Sequence, residues 1–250
     1  NDETKFKIRL IDCVGYMVEG ASGHIENDHE RMVKTPWFDH EIPFTQAAEL
    51  GTKKVINDHS TIGIVVTTDG SFGEIPRTNY MVPEEKTIEE LKKLGKPFIV
   101  ILNTSKPYSN DTLRIAEEIE KRYDVTVLPL NCEQMKKEDI HKIMENILSV
   151  FPVTEINFYM PKWAEMLPTD HWLKADLIAS VKNLFRNITR IKDANPSNFV
   201  TDSDYIKRVK LDKVNMQDGT VAVNLELDDT YYYKILSDLI DVPITGEYQL

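Results

Sequence analysis

A chain of 250 residues, 41% hydrophobic and 28% charged, is long enough to bury one large core or two ordinary ones. No apolar run approaches the ~20 residues needed to cross a bilayer, and the polar opening lacks the charged-then-apolar layout of a secretory signal, so a cytoplasmic protein is expected. The formal net charge of -11 argues against a nucleic-acid partner, which needs concentrated Lys and Arg, and leaves any self-association to local patches.

Four β-rich runs occupy residues 5 to 14, 61 to 68, 97 to 103 and 125 to 131, each followed by turn residues and a helical pattern. Phe98-Ile99-Val100-Ile101-Leu102 and Ile62-Gly63-Ile64-Val65-Val66 are continuously apolar, as strands covered on both faces of a parallel sheet must be. The first run alternates more and reads as nearer an edge. Cys13 and Cys132 each end a predicted buried strand, and are read as free thiols in a reducing compartment. Helices are predicted over 44 to 57, over 83 to 94 after a proline start, and over 110 to 123. Another follows with Ile140, Ile143, Met144, Ile147, Leu148 and Phe151 in one stripe, ended by Pro152. This alternation implies an α/β, doubly wound parallel sheet with its ligand crevice at the carboxyl ends of the strands.

At Pro152 the alternation stops, which divides the chain into a domain over 1 to 151 and a smaller α+β domain over 152 to 250. The second is expected to hold a strand over 153 to 160, a long helix over 170 to 192, a hairpin of 207 to 216 with 220 to 227 around Asp218-Gly219, and a last helix over 231 to 240. Val221, Val223, Leu225 and Leu227 alternate strictly, so one face of that hairpin is buried and the other wet.

Chemistry is expected first at Lys7-Ile8-Arg9-Leu10-Ile11-Asp12-Cys13-Val14-Gly15-Tyr16. An apolar run ending in Asp-x-x-Gly places a magnesium-ordering carboxylate, here Asp12, at a strand end, and lets the bare N–H of Gly15 approach a terminal phosphate. The loop over 16 to 43 is long enough to be functional. Tyr16 stands where switch-type hydrolases carry a water-orienting glutamine, and it cannot act as a carboxamide. His24, His29 and His40 fit no standard zinc spacing.

Asn103-Thr104-Ser105-Lys106 follows the third strand, where guanine-nucleotide enzymes place Asn-Lys-x-Asp. Lys106 is a donor only and cannot accept from the guanine ring as that aspartate does, so the location persists without the guanine code. Asn103, Thr104 and Lys106, with Asn131 at the end of the fourth strand, are therefore the candidates for holding a nucleotide base. Thr67-Thr68-Asp69-Gly70-Ser71-Phe72-Gly73 reads first as a turn and is assigned no chemistry. The phosphate cradle Gly-x-x-x-x-Gly-Lys-Ser/Thr occurs nowhere in the 250 residues. Either a phosphate-loop protein is missing its amino-terminal part, or a βα domain binds no nucleotide. The abrupt opening on an edge-like strand favours the first.

Three stretches carry a family resemblance: Arg9-Leu10-Ile11-Asp12-Cys13-Val14-Gly15-Tyr16-Met17-Val18-Glu19-Gly20-Ala21-Ser22-Gly23-His24-Ile25-Glu26, Val33-Lys34-Thr35-Pro36-Trp37, and Thr68-Asp69-Gly70-Ser71-Phe72-Gly73-Glu74-Ile75-Pro76-Arg77. They closely resemble the stage IV sporulation protein A family of coat morphogenetic ATPases, densely over residues 8 to 107 and more loosely beyond, through Asp170-His171-Trp172-Leu173. The resemblance implies a P-loop NTPase-like domain descended from translation-factor-type GTPases, with ATP and Mg²⁺ as cofactors and Asp12 as the magnesium-associated aspartate. It implies hydrolysis-driven self-assembly into a polymer on the forespore surface, as the base of the spore coat. It also implies a mother-cell cytoplasmic location, peripheral on the outer forespore membrane, with other coat morphogenetic proteins and a small amphipathic membrane-bound peptide as partners. Family members carry their phosphate loop before the Asp-x-x-Gly strand and continue past the point matching Leu250, so this chain alone is expected to be inactive. The competing expectation is a purely structural scaffold with a vestigial nucleotide fold.

Overall fold

The computed structural model describes residues 7 to 216 and 218 to 249. The chain divides into two compact units, Asn1–Val150 and Phe151–Leu250. None of the described helices is long and apolar enough to cross a membrane.

The first unit is built on a three-stranded parallel sheet. The long loop carries two small ribbons, β1 (Ile25–Glu26) with β2 (His29–Glu30) and β3 (Met32–Val33) with β4 (Ile42–Pro43), and leads into α1 (Phe44–Lys54). A π-helical turn, Val55–His59, joins α1 to β5 (Gly63–Thr68), followed by α2 (Arg77–Lys93), β6 (Phe98–Asn103), α3 (Asn110–Tyr123), β7 (Val127–Leu130) and α4 (Lys137–Ser149). The strand order is β5-β6-β7. The central strand is apolar throughout because each face has its own cover. Phe98, Val100 and Leu102 pack with Ile88 and Leu91 of α2 and with Ala116, Ile119 and Tyr123 of α3. Ile99 and Ile101 pack with Leu128, Leu130 and Ile143. Each such side chain contributes about 1.5–3 kcal/mol on burial.

Residues 7 to 14 form no strand, against expectation, and are exposed throughout, Leu10 at 80%. A strand exists only where a neighbour satisfies its backbone groups, and no described strand pairs with this run. Residues 5 and 6 of the predicted strand lie outside the described residues. Cys13 is accordingly exposed and Cys132 half-buried; both are free thiols. A second correction concerns α2, which begins at Arg77 and carries Pro83 inside it. An internal proline costs about 3 kcal/mol, offset here by buried Ile88 and Leu91 and by an Arg77–Glu84 pair spanning two turns.

In the second unit, β8 (Glu155–Tyr159) runs parallel to β10 (Thr220–Leu227), which pairs antiparallel with β9 (Ile206–Asn215). Val221, Val223, Leu225 and Leu227 all face inward. Leu173 and Leu177 of α6 (Trp172–Phe185) and Ile235 of α7 (Asp229–Ile240) cover Leu225 and Leu227, with Ala164 of a short α5 (Lys162–Glu165), while Ile188, Ala194 and Phe199 cover Val221 and Val223. The helix expected to reach residue 192 ends at Phe185, yet Ile188 and Ile191 stay buried in a turn and a 3-10 segment. Asp193 explains the break: its carboxylate accepts the N–H groups of Thr189 and Arg190 at 3.2 and 2.8 Å, a side-chain alternative to helical backbone bonding.

The hairpin turn rests on Gly219, with φ +74° and a Cβ position only 3.0 Å from the Pro152 carbonyl oxygen. Gly219→Ala is expected to lower the stability of this unit by about 1–2 kcal/mol, read as a shift in the denaturant midpoint at unchanged slope.

Candidate functional site

The carboxyl ends of the three parallel strands meet at one rim. Asn103 ends β6, and its Oδ1 accepts the Cys132 N–H at 3.0 Å, bridging to the segment after β7. Asn131, just past β7, accepts the N–H groups of Glu133 and Gln134. Thr104 is fully buried. Its N–H donates to the Leu130 carbonyl at 2.9 Å, and its hydroxyl oxygen accepts the Lys106 N–H at 3.1 Å. The fold thus gathers Asn103, Thr104, Lys106 and Asn131.

The rim's organiser is a residue to which sequence reasoning assigned no chemistry. Asp69, at the tip of β5, accepts the Ser71 N–H at 2.9 Å through Oδ1, and the hydroxyls of Thr104 and Thr112 at 2.5 and 3.3 Å through Oδ2. Ser71 Oγ accepts the Ser105 N–H at 2.8 Å. Asp-Gly is a turn signal, but the hydroxyls on both sides of it, at Thr67, Thr68 and Ser71, were the clue to a polar hub. Burial alone raises the Asp69 pKa, yet the hydrogen bonds from Ser71, Thr104 and Thr112 outweigh it and hold the carboxyl below its ordinary value. A carboxylate depressed in the folded state adds stability that is complete above its unfolded pKa, about 3.9, and is lost as pH falls through the lower folded value. In denaturant titrations over that acid window, the wild-type midpoint should fall more steeply than that of Asp69→Asn, and parallel curves would refute this.

Asp12 and Gly15 are not joined to this rim by any hydrogen bond among the described residues. Asp12 was expected at a strand end but lies in exposed coil, where its Oδ1 accepts the Cys13 N–H at 2.9 Å. The Gly15 N–H donates to Thr52 Oγ1 of α1 at 3.1 Å, and buried Thr52 donates in turn to the Ala48 carbonyl. Tyr16 donates its hydroxyl to Glu90 of α2, with the Lys86 ammonium 4.4 Å from its ring centroid. Burial, then the Glu90 carboxylate, push its pKa far above the usual phenol range and keep it a donor. The Asp-x-x-Gly loop is therefore fastened to α1 and α2.

Mg²⁺ is held in nucleotide sites by one or two carboxylates with phosphate oxygens and water. Asp12 is exposed and, among the described residues, only its Oδ1 accepts a hydrogen bond, and no cluster of three or more His, Cys, Asp or Glu forms a protein-only metal site among the described residues. For the phosphates, the 250 residues hold no glycine-rich cradle, so no hydrolytic step follows from these residues alone.

Parallel strands with helices on both faces and hydrogen-bonded turns at the strand tips define a P-loop-like α/β domain, followed here by a separate mixed-sheet unit. The chain belongs to the stage IV sporulation protein A family: residues 1–152 match the family's ATPase domain and residues 153–250 its middle domain. It is 43% identical over 250 residues to Stage IV sporulation protein A of Clostridioides difficile (strain 630), covering 100% of this chain and 51% of the relative. The protein of that name from Bacillus anthracis is 39% identical over 241 residues, 96% of this chain and 49% of its own length. That from Bacillus subtilis (strain 168) is 38% identical over 247 residues, 98% and 50%. The chain thus spans about half the length of the curated relatives it matches. No solved structure gives a significant match.

Proposed function

We propose that the protein to which this chain belongs is a sporulation ATPase that hydrolyses ATP with Mg²⁺ and self-assembles on the forespore surface as the base of the spore coat. The match of residues 1–152 to an ATPase domain carries this reading. The rim of Asn103, Thr104, Lys106 and Asn131 holds the base, and Asp12 contributes a carboxylate on the magnesium side. The loop after Gly15, fastened to α1 and α2, relays nucleotide state to an assembly surface. The protein works in the mother-cell cytoplasm, peripheral on the outer forespore membrane. Its partners are further copies of itself, other coat morphogenetic proteins and a small amphipathic membrane-bound peptide.

The test is ATP turnover and sedimentation of the full-length protein beside its Asp12→Ala variant. Turnover should fall about 10- to 100-fold in the variant, the usual loss for a group supporting a bound metal; equal rates would remove Asp12 from the reaction. A second reading, a structural scaffold with a vestigial nucleotide fold, draws on the exposed position of Asp12 and the engagement of the Gly15 N–H by Thr52. It is favoured if the full-length protein sediments equally with and without ATP.

A further inference from the structure

Between Asp176 and Asp193 the chain carries Lys182, Arg186, Arg190 and Lys192 and no acid, in a molecule of formal net charge -11. The bracketing carboxylates are already engaged: Asp176 accepts the Ser203 hydroxyl at 2.6 Å, and Asp193 accepts the Thr189 and Arg190 N–H groups. On α6, Leu173, Leu177 and Leu184 are buried, so Ile178, Lys182, Phe185 and Arg186 turn away from the core at helical spacing. Ile178 is 37% and Phe185 38% exposed, and both cations are exposed. Neither Lys182 nor Arg186 forms an ion pair among the described residues. The Phe185 ring is held edge-on to Phe158, centroids 5.1 Å apart. The result is an open helix face of one charge sign, with apolar side chains set among the cations.

The first unit carries the complement. β1 and β2 form a hairpin on Asn27 and Asp28, left-handed at φ 50° and 59° as its two-residue turn requires. Residues 25 to 30 are all exposed, Ile25 at 60%. Glu30 accepts the Thr45 hydroxyl, whereas the Glu26 and Asp28 carboxylates have no partner among the described residues. Arg31, at the foot of the hairpin, lies over the Phe44 ring. A tip that joins carboxylates to an isoleucine thus matches a face that joins cations to Ile178 and Phe185. We infer that the α6 face of one copy, through Ile178, Lys182, Phe185 and Arg186, docks the acidic hairpin of a second copy. Aromatic and arginine side chains are the usual anchors of such contacts, and opposite local charges let an acidic chain associate where its surfaces would otherwise repel. An anionic membrane would also attract these cations, but it would repel the acidic remainder of the molecule. Because the two surfaces differ, the contact is head to tail, the class that builds filaments unless its rotation closes a ring. The inference rests on the self-assembly reading above and names its surface, since the hairpin lies in the loop after Gly15.

The experiment sediments full-length protein with ATP and Mg²⁺ and without lipid. One variant reverses the helix face, Lys182→Glu with Arg186→Glu. The other reverses the hairpin, Glu26→Lys with Asp28→Asn, asparagine being chosen because it tolerates the left-handed backbone. In each variant alone, the concentration at which half the protein sediments should rise about tenfold or more, the scale of close interfacial charge pairs. An equal mixture of the two should return to within about threefold of wild type, because each reversed surface then meets its opposite. Added salt should weaken wild-type assembly. Urea midpoints check that both variants fold; should the reversed face fail there, Lys182→Gln with Arg186→Gln should show a smaller loss in the same direction. Variants that sediment like wild type, or a mixture that sediments no better than its components, overturn the inference. So does a face variant that assembles normally but loses binding to phosphatidylglycerol vesicles, which would assign the face to a membrane. Wild type that sediments under no condition instead overturns the self-assembly reading.

Discussion

Arg77→Ala is expected to destabilise the first unit by about 3–5 kcal/mol, the cost of stripping one partner from a buried ion pair. Arg77 Nη1 and Nη2 clasp the two carboxylate oxygens of Glu84 at 2.5 and 2.9 Å, and Nη1 also donates to Thr67 Oγ1 and the Thr68 carbonyl at 2.9 and 3.2 Å. The Glu84 side chain is only 3% exposed. Alanine at 77 leaves that buried carboxylate without its guanidinium, and frees the end of β5 at the same time. Because most of the penalty is the orphaned charge, Arg77→Met combined with Glu84→Leu should recover much of the loss. Urea midpoints of the two variants decide the matter. If the single and double variants lose equal stability, the pair is not the cause. The segment the pair anchors leads directly into Asp69.

Leu225→Ala should cost the second unit about 2–5 kcal/mol, the range for a buried leucine whose surroundings relax only in part. Leu225 is fully buried on the central strand β10, within one cluster with Leu173, Leu177, Ile206 and Ile235. Those partners come from two helices and the adjacent strand, so no single shift closes the cavity. Two tryptophans report on the site: Trp163 packs against this cluster, and Trp172 lies edge-on to Tyr205 and Tyr231, which pack there too. Unfolding followed by tryptophan fluorescence should show the loss. A change below about 1 kcal/mol would mean that the helices collapse onto the vacancy.

Much of the architecture was legible in order along the chain. The apolar run of β6, the stripe of α4 and the strict alternation of β10 each state which face wants burial, and hydrophobic periodicity is local information. The helix predicted over 110 to 123 is α3, with Ser109 accepting the Thr112 N–H at its start. The helix expected over 170 to 192 shows the limit of such reasoning. Its apolar spacing was right about burial and wrong about conformation, because Asp193 captured backbone donors that periodicity does not register.

What the sequence by itself determined is the order in which strands and helices alternate and the burial of the central strands β6 and β10, along with the turn at Asn103 to Lys106 as a place to look; it did not determine that Ile64 and Val66 of β5, expected to be covered on both faces, stay exposed. Tertiary structure alone decided that residues 7 to 14 lie outside the described sheet, that Gly15 gives its N–H to Thr52, and that Asp69 reaches Thr104 across 35 positions. The reason is physical: burial preference is a property of each side chain, whereas a hydrogen-bond partner is a property of two segments, and only the folded chain brings those segments within 3 Å of each other.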